Sequence, residues 1–156
     1  MTLSRAITVA TAAMLLSLVA PAQDQEEKVK RSDLPPAVEK AVVEQSKGAT
    51  IRGFSQEHEN GKTIYEAELM VNGHSKDVSI DADGVVVEVE EQVGAESLSP
   101  AVRDGLQAKA GNGKLVMVEA LTKKGKLVAY EAKVLTNGKK SEVQVGPEGK
   151  PLDHEE

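Results

Sequence analysis

The sequence predicts an α+β fold of two tandem repeats, each a helix followed by a three- to four-stranded antiparallel meander. Three observations predict it: an internal duplication, a helix-start signal heading each copy, and turn dipeptides that cut the rest of each copy into alternating segments. Leu34-Pro35-Pro36-Ala37-Val38 recurs as Leu98-Ser99-Pro100-Ala101-Val102, and Tyr65-Glu66-Ala67 recurs as Tyr130-Glu131-Ala132. Asn72-Gly73 returns as Asn137-Gly138, and Asp83-Gly84 as Glu148-Gly149. Blocks that match in one order mark a duplicated unit.

Each copy opens on a helix. In the first, Ser32 or Asp33 can cap, and Pro35 and Pro36 fall in the first turn, where a missing N–H costs nothing. Leu34, Val38, Ala41, Val42 and Gln45 keep helical spacing, and Gly48 ends the run. In the second, Ser99 caps, Pro100 takes the first helical position, Val102 and Leu106 supply the apolar face, and Gly111 stops the helix.

Strands follow. Asn60-Gly61, Asn72-Gly73 and Asp83-Gly84 divide the first copy; Lys124-Gly125, Asn137-Gly138 and Glu148-Gly149 divide the second. Tyr65, Ala67, Leu69 and Val71 share one strand face, and Glu66, Glu68 and Met70 share the other. Tyr130, Ala132 and Val134 oppose Glu131, Lys133 and Leu135 in the same way, and Val85, Val87 and Val89 oppose Val86, Glu88 and Glu90. One sheet face is therefore expected under the helices and the other in water. The repeats run over 33–93 and 97–152. The charged leader 23–32 and the acidic tail 153–156 lack apolar periodicity and are expected to be flexible.

The N-terminus carries a different signal. Arg5 precedes an apolar run from Ala6 to Ala20, and Ala20-Pro21-Ala22 has the small residues of a cleavage site, so residues 1–22 read as a signal peptide cut after Ala22. The run is shorter than the ~20 residues a bilayer-spanning helix needs. The expected location is periplasmic or secreted, with no membrane anchor after cleavage. The 156 residues contain no cysteine, which excludes disulfides, thiolate metal sites, a thiol nucleophile and a lipoprotein anchor. A net charge of −6 and an aromatic set limited to Phe54, Tyr65 and Tyr130 argue against a nucleic-acid partner.

The Leu-Pro-x-Ala-Val helix start, the Tyr-Glu-Ala strand, the Asn-Gly turn and the strand ending Asp81-Ala82-Asp83-Gly84 together resemble the PepSY-like proteins. More specifically, the chain is similar to the exported tandem form named for its likeness to the beta-lactamase-inhibitor protein, over about Leu34 to Leu152. The resemblance implies repeats joined side by side in one curved sheet with helices on one face. It also implies a role in restraining a peptidase or another envelope enzyme, or in binding envelope partners, and brings no catalytic or ligand residues with it.

The residues themselves supply no catalytic set, metal site or cofactor site. Asp81, Asp83, Gly84 and Glu90 fall at calcium-loop positions, yet Ser79 stands where the first acid belongs and the flanks read as strands, so a hairpin turn explains them. His58, His74 and His154 have no partners at ligand or triad spacing. Glu66 with Glu68, and Glu88 with Glu90 and Glu91, read as a solvated sheet surface. The expectation is a non-catalytic module that binds an extracytoplasmic protein, a peptidase among the candidates. Its partner-binding face is Ile64, Glu66, Glu68, Met70, Glu131, Lys133 and Leu135. The alternative is a periplasmic binder or sensor of a small ligand or metal ion.

Overall fold

The computed structural model describes residues 26–156 other than residue 60. The expected signal peptide 1–22, the leader start at Gln23 and Asn60 of the first turn lie outside the described residues.

Two helices form. Helix α1 spans Pro36–Gln45 and α2 spans Pro100–Ala110. Ser99 Oγ accepts the Val102 amide at 3.2 Å, satisfying one of the unpaired donors of the first turn of α2. Neither Ser32 nor Asp33 plays that part for α1, whose N-cap is Pro35 and carries no side-chain cap. Ser32 and Asp33 lie instead in a 3₁₀ turn, Arg31–Asp33, tied to α1 where Arg31 Nη2 donates to Glu39 Oε1 at 2.7 Å. Among the described residues no helix is long and apolar enough to cross a membrane.

The strands are β1 Glu27–Lys28, β2 Thr50–Glu59, β3 Lys62–Val71, β4 His74–Asp81 and β5 Val86–Gln92, followed after α2 by β6 Lys114–Lys123, β7 Lys126–Thr136 and β8 Lys139–Val145. Each pairs antiparallel with its chain neighbour, in the order β1-β2-β3-β4-β5-β6-β7-β8. Asn72, Lys124 and Asn137 take positive φ at the hairpin turns, each followed by a glycine that does the same, as two-residue hairpins require.

The fold-class expectation is corrected here. The structural unit is one eight-stranded antiparallel sheet with two helices, dominated by strand, and not two tandem helix-plus-meander repeats. The reason is the ladder between β5 and β6, which runs from Glu88↔Lys123 to Gln92↔Glu119 and leaves no edge where one copy would stop. The leader also contributes: Glu27 and Lys28 pair with Gln56 and Ser55, adding β1 to the sheet.

Val38 and Val42 of α1 pack with Phe54, Ala67, Leu69, Val78 and Ile80, while Val102 and Leu106 of α2 pack with Val118, Ala132, Val134 and Val145. Both clusters occupy the same sheet face, because Val89 of the first opposes Thr122, which alternates with Ala120 and Val118. Gly84 and Gly149 let the helices seat. Each has positive φ, and a Cβ there would collide with the carbonyl oxygen of Ala37 or Ala101 respectively. Among the described residues the other face of the sheet carries no helix.

Register shifts interrupt the β2–β3, β4–β5 and β6–β7 ladders, and the one in β4–β5 overturns an expected strand face. Val86, not Val85 or Val87, packs with Val89 on the helix side, because a register shift between Ser79 and Ile80 inserts an irregularity in the β4–β5 ladder. Val85 is left exposed and Val87 turns to the open face.

Candidate functional site

The open face is built by register. Lys28, Ser55, Glu66, Ser79, Glu88 and Lys123 lie opposite one another across successive strands, and Glu68, Asp77, Glu90 and Leu121 form the adjoining row. Beyond them, Gln92, Glu119, Glu131 and Gln144 oppose one another from β5 to β8. Carboxylates directly opposite on neighbouring strands repel. This face has several such neighbours in succession: Glu68 with Asp77, Asp77 with Glu90, and Glu119 with Glu131.

The sequence-derived residues fall into two groups on this face. Glu66, Glu68 and Met70 on β3 line a hollow of about 410 Å³ with Glu26, Lys28, Arg52, Ser75 and Asp77. Glu131, Lys133 and Leu135 sit on β7, four strands away, which is roughly 19 Å at the usual ~4.8 Å strand spacing. Glu131 accepts a hydrogen bond from Gln144 Nε2 at 2.8 Å, and Leu135 is exposed at the rim. Ile64 is buried, although it belongs to neither helix-side cluster. Leu121 and Ala129 are likewise buried outside both clusters, so the open face has an apolar floor of its own.

Between the two groups lies the part the sequence-derived set lacks. Asp77, Glu90 and Glu119, on β4, β5 and β6, bring carboxylate oxygens within 4.8 Å of one another. Glu119 is 1% exposed, and its Oε2 lies 3.0 Å from Lys133 Nζ, while its Oε1 accepts from Ser75 Oγ at 3.3 Å. Asp77 and Glu119 could have been found by carrying the β3 parity into β4 and β6, where each is flanked two residues away by Ser, Met or Leu. A second trio, Glu26, Glu66 and Glu68, has the same oxygen spacing, and Lys28 bonds Glu68 and lies 3.2 Å from Glu26.

Proton affinities follow from this crowding. Burial first, then the charges of Asp77, Glu26 and Glu68, push the Glu66 carboxyl up to about 7, against the pull of Lys28. Glu90 rises to about 8 through burial, a hydrogen bond with Glu88 and the charges of Glu88, Glu131 and Glu119. Burial also raises Asp77, with Glu119 and Glu68 adding to it, and raises Glu131 despite the Gln144 hydrogen bond. Lys133 is held above the ordinary ammonium value: burial alone would lower it, but the Glu119 bond and surrounding carboxylates more than offset that.

The Asp81–Gly84 segment is a turn. Asp81 Oδ1 accepts the amides of Asp83 and Val85 at 3.1 and 2.9 Å, and the Gly84 amide donates to the Asp81 carbonyl. Glu90 points elsewhere, into the trio above. Of the histidines, His58 Nδ1 meets Thr63 Oγ1 at 3.1 Å and His154 Nε2 lies 4.0 Å from Glu156.

No family model matches the chain, and no curated protein matches it. Solved structures do. A BLIP-like protein from Bacteroides fragilis is 26% identical with a TM-score of 0.54, covering 79% of this chain and 86% of that one. A DUF2874 family protein from Bacteroides ovatus is 21% identical with a TM-score of 0.59, over 78% and 86% of the two chains. A protein from Bacteroides eggerthii, provisionally assigned to the periplasm, is 17% identical with a TM-score of 0.60, over 75% and 84%. The fold is BLIP-like. These neighbours are not known enzymes.

Proposed function

We propose that this chain is an exported, non-catalytic binding module of the PepSY-like class, acting in the periplasm, whose open sheet face receives a cationic surface of another protein. The observation that carries the reading is the run of half-buried carboxylates Glu66, Glu68, Asp77, Glu90 and Glu131 beside buried Glu119, opposed locally by Lys28 and Lys133. Carboxylates gathered over an apolar floor are complementary to Lys and Arg side chains and steer them in, and an arriving cation favours release of the protons that burial holds on Glu66 and Glu90. Restraint of a peptidase or another envelope enzyme is the specific form of this reading that the family resemblance suggests.

Calorimetric titration of the protein with a decalysine peptide at low salt tests it. Heat is expected with decalysine and not with decaglutamate, fading as salt rises. The Glu68→Lys/Glu90→Lys double variant should abolish it. No heat from the unmodified protein would sink the proposal.

A second reading, metal-ion binding, is motivated by the oxygen spacing of the two carboxylate trios. Each trio already has a lysine ammonium beside it, which favours the protein-partner reading. A flat calorimetric titration with calcium would eliminate the metal reading.

A further inference from the structure

Glu156 lies on the open face. The Glu156 amide donates to Gln144 Oε1 on β8 at 2.9 Å, and the Glu156 side chain lies 3.5 Å from Lys123 Nζ on β6. One residue thus spans β7. It also lines a hollow of about 260 Å³ with Ile64, Ser79, Val87, Glu88 and Lys123, reaching strands β3 to β5. Residues 153 to 156 are all exposed, and the hold comes through Glu156, whose side chain is 25% exposed beside Lys123.

We propose that residues 153–156 form a strap that covers the Ile64–Lys123 end of the open face and opens and closes over it. Three features support it. Ile64 is buried without belonging to either helix-side core, and the tail residue shares its hollow. Lys123 is shared between Glu88 of the sheet, at 3.3 Å, and Glu156 of the tail, so letting go of Glu156 leaves Lys123 paired. The tail is acidic over an acidic face, so repulsion favours opening, and among the described residues one cation and one amide acceptor oppose it. The strap does not depend on the chemistry of the partner and stands apart from the cationic-partner reading.

The absence of cysteine makes the test direct. Ser79→Cys places a sole thiol in the covered hollow, and its rate of reaction with a disulfide reagent reports uncovering. One hydrogen bond and one screened ion pair close such a strap by about ten to one, so removing residues 153–156 should speed labelling roughly ten-fold. Ser141→Cys, exposed on β8, should label equally in both chains, and the melting temperature should be the same. Equal Ser79→Cys rates with and without the tail would overturn the strap, as would a rise at Ser141→Cys of the same size. Decalysine calorimetry on the same two chains keeps the readings apart: heat absent from both removes the cationic partner, while the labelling ratio alone decides the strap.

Discussion

The two carboxylate trios on the open face have the same chemistry and different surroundings. Glu26, Glu66 and Glu68 lie at the β1–β3 edge, where the Lys28 side chain is 68% exposed. Asp77, Glu90 and Glu119 lie mid-sheet on β4, β5 and β6, where Glu119 is 1% exposed and meets Lys133. Strands on both sides of the second trio exclude the water that screens the first. An ion pair in water contributes little, whereas one whose acid is buried matters because removing the cation strands a charge. Position in the sheet sets what each lysine does.

The largest expected effect sharpens that contrast. Lys133→Met should lower stability by roughly 2–3 kcal/mol, below the usual range for breaking a fully buried pair because the lysine is 39% exposed. Lys28→Met should leave the urea midpoint nearly unmoved. Equal midpoints for the two variants would break the comparison.

A smaller effect comes from proton linkage. Glu66 and Glu90 bind protons more tightly folded than the ordinary 4.5, at about 7 and about 8. Between those values the unfolded chain releases protons that the folded chain keeps, so stability falls as pH rises from about 4.5 and levels off above about 8. Scanning calorimetry should show a higher melting temperature at pH 5 than at pH 8. Glu90→Gln should remove part of that fall, raising the melting temperature at pH 8 and changing it little at pH 5. Glu66→Gln should do the same to a lesser degree, its proton affinity being less raised. A flat pH profile would mean that the mid-sheet carboxylates are better solvated than their burial implies.

Local chemistry was legible where a residue's preference acts on its own neighbours. Ser99 caps α2, Gly111 ends it with positive φ, and Asn72-Gly73 and Asn137-Gly138 turn hairpins, all through contacts within a few residues. The alternation of Glu66, Glu68 and Met70 against Ala67 and Leu69 likewise separates the two faces of β3. It failed at Val86, where a bulge depends on how two strands meet and not on either strand's pattern.

The sequence by itself determined the helix starts, the hairpin turns and which acids of β3 and β7 face away from the core. Those are short-range matters of dihedral preference and two-residue periodicity. Only the tertiary structure decided in what register β5 pairs with β6, that Glu27 and Lys28 extend the sheet, and that Asp77, Glu90 and Glu119 converge. It alone placed Glu156 over Lys123. These contacts join residues far apart in the chain, and their energies depend on the water that surrounding strands exclude, which no local pattern records.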